Sequence, residues 1–188
     1  MANGFGEIKI GRFTVRFKEG KTECKYVVYD SQMKKFSEGI SSSKEKIIEE
    51  VQNSINTQKK AMVSSRINGI PTAHEFAKAF SSLKLSDGQW AMLKAHYNAK
   101  KRKLTSSQLA EAANYEHFYA ANTQYGTLGR DVCDYLDVKP PGTYNDGNPL
   151  WITILTLENS DAFEDETGHY QHTMRQEVAD ALKIVGGI

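Results

Sequence analysis

The side chains best suited to recognition chemistry in this chain are small, polar and cationic, and they gather on one predicted helix and on the run just ahead of it. Between Glu116 and Leu136, the residues Phe118, Ala121, Tyr125, Leu128 and Val132 recur at spacings of 3, 4, 3 and 4, which predicts a helix with one apolar face. At about 100° per residue, the opposite side is made of Glu116, Tyr119, Ala120, Thr123, Thr127 and Arg130, with Asn122 and Gln124 beside the apolar stripe. Thr, Asn, Gln and Arg hydrogen-bond base edges or phosphates, and the small Ala120 and Gly126 let a helix backbone approach a ligand closely. Gly126 and Gly129 each cost about 1 kcal/mol relative to Ala inside a helix. Either a packing or approach reason keeps them there, or they break the helix after Tyr125.

Ahead of this helix stands the basic run Lys100-Lys101-Arg102-Lys103, placed to neutralise phosphates, with Ser106 and Ser107 following as hydrogen-bond donors. A charge run is also the ordinary composition of a solvated loop. Tyr115 and His117, at the turn before the long helix, complete the candidate nucleic-acid-binding set of this half.

Catalytic patterns are missing. There is no HExxH, nucleophile elbow, phosphate-cradling glycine loop or paired-cysteine zinc motif. His169 and His172, three apart on a predicted strand, point to opposite faces, which is poor geometry for one metal. Asp161, Glu164, Asp165 and Glu166 lack the alternating ligands of a calcium loop. A non-enzyme with no metal and no cofactor is expected. Cys24 and Cys133 are the only thiols and are expected to stay reduced.

The elements that must position these residues fall into two groups. Glu7 to Phe17 alternates around Phe13, Val15 and Phe17; a turn at Glu19-Gly20 leads to a second strand over Thr22 to Tyr29, and Lys34 to Glu38 forms a short third. Ser41 to Ser43 then cap a helix from about Lys44 to Asn56, with Ile47, Ile48, Val51 and Ile55 on its inner face. Residues 1–58 are thus a β-β-β-α domain, 59–69 a linker, and 70–188 a second domain. In that second domain a helix opens at Pro71-Thr72, another follows the Ser86-Asp87 cap, and a short helix starts at Thr105 or Ser106 and stops at Asn114. After the long helix, Leu150 to Leu157 and Gly168 to Met174 read as a strand and its return, and Arg175 to Val185 as a closing helix. Short helix, tight turn, long helix and hairpin follow the order of a winged helix-turn-helix, so the fold class is α+β.

The net charge of +1 conceals a gradient. Residues 1–70 carry 13 basic and 8 acidic side chains, 71–139 carry 9 and 7, and 140–188 carry 2 and 8, giving +5, +2 and −6. Such asymmetry points to an anionic partner for the first two thirds. The predicted hairpin tip, Glu158 to Glu166, is acidic and would be repelled by a phosphate backbone. In the first domain Arg12, Arg16, Lys18, Lys21 and Lys25 are candidate phosphate and base contacts, with Arg12 and Arg16 sharing parity opposite Phe13, Val15 and Phe17. The alternative is a solvated sheet face over a small core.

The stretch KLTSSQLAEAANYEHFYAANTQYGTLGRDVCDYL, with the later strand and HTMRQEVADALKIVG, resembles the winged-helix-like DNA-reading modules that precede the nuclease domain in some bacterial HNH restriction-type endonucleases. It covers roughly Ser86 to Val185. The resemblance implies DNA binding, with roles such as sensing modified DNA, phage defence, counter-defence or regulation, in a protein of bacterial or phage origin. With Ile188 directly after the closing helix, no HNH nuclease is expected in the chain. The first domain is similar, more weakly, to the AP2-like arm domains of phage integrases, whose sheet face lies in a groove.

A DNA-binding protein acting on double-stranded DNA is therefore expected. The alternative is a protein-interaction module, such as a phage-encoded inhibitor of a host defence complex, contacting its partner through the acidic 158–166 loop and through Tyr115 and Tyr119. No apolar run approaches the roughly 20 residues that span a bilayer, and MANGFGEIKIGRF lacks the marks of a secretory signal, so a cytoplasmic location without membrane partners is expected. No heptad run marks a dimer interface, which leaves a homodimer open.

Overall fold

The computed structural model describes residues 5–30, 33–157 and 170–186. It is α+β, and it divides into two compact units, Met1–Ser65 and Arg66–Ile188, each with its own core. No helix among the described residues is long and apolar enough to cross a membrane.

The first unit is a four-stranded antiparallel meander, β1 (Phe5–Ile10), β2 (Phe13–Glu19), β3 (Cys24–Tyr29) and β4 (Lys35–Ser41), followed by α1 (Lys44–Ser64). The three-strand expectation fails because Gly11 turns the chain. Ile10 pairs with Phe13 across a two-residue loop whose first member, Gly11, has φ +58°, the position a tight hairpin reserves for glycine. Phe13, Val15, Phe17, Cys24 and Val28 meet Ile47 and Val51 of α1 in the core. On the two outer strands, Gly6 stands opposite Phe17 and Gly39 opposite Tyr26, and each aromatic ring lies where a Cβ would stand. Glu50 of α1 accepts from the Tyr26 hydroxyl at 3.2 Å and the Ser41 hydroxyl at 2.9 Å, tying the helix to β3 and β4.

Helix α1 does not stop at Asn56, as its apolar period suggested, but runs through the expected linker to Ser64. Thr57 to Ser64 contains neither Gly nor Pro, so nothing ends the helix once it has been nucleated. Its last turn closes where the Ser64 and Ser65 hydroxyls donate to the carbonyls of Ala61 and Met62. Ile48, expected inside, is exposed.

The second unit comprises α2 (Ala73–Ser82), α3 (Asp87–Asn98), β5 (Lys103–Thr105), α4 (Ser106–Ala112), α5 (Phe118–Leu136), β6 (Gln171–Thr173) and α6 (Gln176–Ile184). Thr72, Ser86 and Thr105 each cap their helix reciprocally with the side chain three residues on: Glu75, Gln89 and Gln108. Phe76, Phe80, Met92, Leu93, Leu109, Tyr125, Leu128, Leu155, Val178 and Leu182 form the core. Arg66 and Glu75 make a buried ion pair at 2.6 Å, and Arg66 also donates to the Leu136 carbonyl.

Strands β5 and β6 pair antiparallel, Leu104 opposite His172, and Thr156 bridges Met174 just beyond. The strand expected over Leu150 to Leu157 is instead a 3-10 turn at Trp151–Ile154. The Thr153 hydroxyl donates to the Leu150 carbonyl and accepts the Gly142 N–H, while the Trp151 carbonyl presses on Gly129 of α5. These contacts favour a tight turn in a run whose apolar composition suits a strand equally well. The acidic 158–166 loop and His169 lie outside the described residues.

Candidate nucleic-acid interface

Helix α5 is held at three places along its length. Its short partner α4 packs against it, with Leu109 and Ala110 buried. Gln89 of α3 donates to the Gln124 carbonyl at 3.4 Å, so Gln124 serves the fold. Gly129 receives the 3-10 backbone so closely that any Cβ there would collide with the Trp151 carbonyl, which is the packing reason its presence demanded.

What these contacts leave open is a face over the first four turns. Tyr119, Asn122, Thr123 and Arg130 are exposed on it and Thr127 is half-buried. Gly126 stands among them. Among the described residues, no heavy atom outside the neighbouring helix backbone lies within 4 Å of where its Cβ would stand. Gly126 therefore has no packing reason among the described residues, and α5 remains helical through it. Arg130 lies 3.8 Å from Asp131 with both side chains about half exposed, a pairing worth little in water. Phe118, expected in the core stripe, is 42% exposed and stacks on Tyr119, itself 69% exposed, with ring centroids 4.1 Å apart. His117 is the exposed residue at the N-cap position and makes no side-chain cap bond.

Tyr115 belongs elsewhere. It is half-buried against the core, its hydroxyl lying over Gly88 at the start of α3, so it is not the surface aromatic the sequence suggested. The basic run is also divided. Residues 100–102 form a 3-10 turn in which Lys101 and Arg102 take left-handed φ of +55°. Lys100 and Lys101 are exposed, but Arg102 donates to the Gln176 side chain at 2.6 Å and Lys103 is half-buried in β5. Ser107 is exposed, whereas the Ser106 hydroxyl is 3.2 Å from His172 Nε2.

Beneath α5 lies a polar network that sequence reasoning missed. The His96 Nε2 faces the His172 carbonyl at 3.0 Å and must donate, which leaves Nδ1 to accept the Tyr125 hydroxyl at 2.9 Å. Burial lowers both His96 and His172 to about 4 and raises Tyr125. The two imidazoles are neutral near pH 7. A hint was available: Tyr125 occupies the centre of the apolar stripe, where a hydroxyl requires a partner.

In the first unit, Arg16 and Lys18 lie on the sheet face away from α1 with Lys25, as the alternation required. Arg12 does not share that face, because it occupies the β1–β2 turn, 5.4 Å from the Phe13 ring; Lys21 sits in the β2–β3 turn. Arg16 Nε donates to Glu7 at 3.0 Å. No group of His, Cys, Asp or Glu among the described residues could hold a metal ion. No family model, no curated protein and no solved structure matches the chain.

Proposed function

We propose that the chain is a DNA-binding protein whose second unit is a winged helix-turn-helix presenting α5 to the major groove of duplex DNA. The order of elements supports this: β5, the α4–turn–α5 pair, the Thr156 segment and β6 follow one another as in that motif, with β6 lying between β5 and Thr156. The observation that carries the reading is the open face around Gly126. A glycine that packs against none of the described residues costs the helix stability, and close approach of a ligand to that backbone supplies a reason for it. Asn122, Thr123 and Arg130 surround it with base-edge chemistry, and Lys100 and Lys101 supply phosphate contacts. The sheet of the first unit adds a second cationic surface.

The test is fluorescence anisotropy at two salt concentrations on a random-sequence duplex and on a panel of duplexes of defined, differing sequence. Binding should weaken steeply with salt, and Lys100→Ala with Lys101→Ala should weaken it uniformly across sequences. Gly126→Leu, which fills space the fold leaves empty, should abolish base preference while the protein stays folded. No binding at low salt overturns the proposal.

A second reading is favoured by the stacked, exposed Phe118–Tyr119 pair, whose apolar area suits a protein partner. A phage-encoded inhibitor of a host defence complex is one such module. It requires a stable complex in pull-down and no duplex affinity.

A further inference from the structure

One face of the four-stranded sheet is covered by α1 and the other carries no element among the described residues of its own unit. On this second face the cross-strand register places Phe5 beside Lys18 and Lys25, Glu7 beside Arg16 and Val27, and Lys9 beside Thr14 and Tyr29, with Ile40 next to Lys25 on the outer strand. Its composition is unusual for a merely solvated surface. Phe5 is 78% exposed and Ile40 58%, and both stand among cations.

Two of those cations are already drawn to rings, Lys18 Nζ lying 5.2 Å from the Phe5 centroid and the Arg16 guanidinium 5.6 Å from the Tyr29 centroid. Glu7 pairs with Arg16, Glu38 with Lys35, and Glu23, at the β2–β3 turn, with Lys25 at 3.7 Å, three exposed pairings worth little in water, against the five cations Lys9, Arg16, Lys18, Lys25 and Lys35. The surface is therefore cationic, with an aromatic ring at either end. Strand geometry puts Phe5 and Tyr29 roughly 16 Å apart, four residues along the sheet and two strands across.

We infer that this face binds single-stranded nucleic acid, stacking unpaired bases on Phe5 and Tyr29 while Arg16, Lys18 and Lys25 take the phosphates. A duplex offers phosphates to such a surface but keeps its base faces stacked inside, leaving exposed Phe5 and Ile40 without a partner. An unpaired strand offers both charge and π-faces, and aromatic side chains interleaved with cations are how sequence-tolerant single-strand binders hold it. The inference stands apart from the α5 proposal, since it concerns other residues and another form of nucleic acid.

The full-length protein is titrated into fluorescein-labelled oligo(dT) and, separately, into duplex, with thermal melts to verify folding of each variant. Salt-sensitive oligo(dT) binding is expected. Phe5→Leu, which keeps an apolar side chain but removes the ring, should weaken it about tenfold, within the roughly 5- to 150-fold that one stacked base contributes. Phe5→Trp should restore it. Duplex affinity should not respond to Phe5→Leu, and Gly126→Leu should leave oligo(dT) binding intact, so failure of either proposal is seen separately. The inference is overturned if oligo(dT) does not bind at low salt, if Phe5→Leu and the wild type bind it equally, or if anionic lipid vesicles displace it through the same residues.

Discussion

His96 shows how much one buried side chain can govern. Its Nε2 donates to the His172 carbonyl and its Nδ1 accepts from Tyr125, so the neutral ring is satisfied on both sides and a second proton would disturb the Tyr125 bond. The folded imidazole is pushed down to about 4 from an ordinary 6.5. A group depressed in the folded state supports folding fully above its unfolded value, and that support is lost as pH falls through the folded one. Stability of the second unit should therefore be intact above pH 6.5 and fall between 6.5 and about 4, by about 3 kcal/mol from His96 alone. Urea melts across that range check it, and a flat profile would contradict the network. Tyr125→Phe removes the donor and should cost about 1–3 kcal/mol at neutral pH, read from the same melts. The two glycines of α5 make opposite predictions at the same scale. Gly126→Ala should stabilise by about 1 kcal/mol, because its Cβ enters open space. Gly129→Ala should destabilise, because its Cβ meets the Trp151 carbonyl.

At the scale of elements, local signals were enough where they were self-contained. The caps at Ser43, Thr72, Ser86 and Thr105 satisfy helix ends with side chains a few residues away, and all four helices start where the sequence placed them. Elements whose form depends on distant partners were not legible. The 3-10 turn at Trp151 is shaped by Gly129 and Gly142, whereas the division between β1 and β2 has a local signal, Gly11, inside a run whose other residues all suit a strand. The candidate interface divides in the same way. Thr123 and Arg130 lie exposed on α5 because helical period sets them opposite the buried stripe, whereas Asn122 beside the stripe and Phe118 within it are exposed because the packing stops short of them. Tyr115 and Ser106 did not emerge as free, because Gly88 and His172, which engage them, are distant in sequence. Arg66 ties the start of the second unit to α2 and to the end of α5 through Glu75 and the Leu136 carbonyl. Arg66→Ala would strand a buried carboxylate and should cost about 3–5 kcal/mol, measurable by denaturant titration.

For the whole molecule, the two cores share no residue, and both tryptophans, Trp90 and Trp151, lie in the second unit. Tryptophan fluorescence thus follows that unit, whereas far-UV ellipticity follows both. Since the buried histidines are in the second unit, acidification should move the fluorescence transition to lower denaturant before the remaining ellipticity is lost; coincident transitions at every pH would mean that the units unfold as one. The chain's charge gradient, its two cysteines, its α+β character and the helical span of α5 follow from composition and period, which are properties of the chain read in order. Both cysteines prove buried and unpaired. Which small residues touch something and which do not was decided only by the tertiary structure. Gly126 and Gly129 are three positions apart on one helix and indistinguishable by propensity, yet one is pressed against a carbonyl and the other faces open space. That difference depends on a segment more than twenty residues away in sequence, whose position no local pattern encodes.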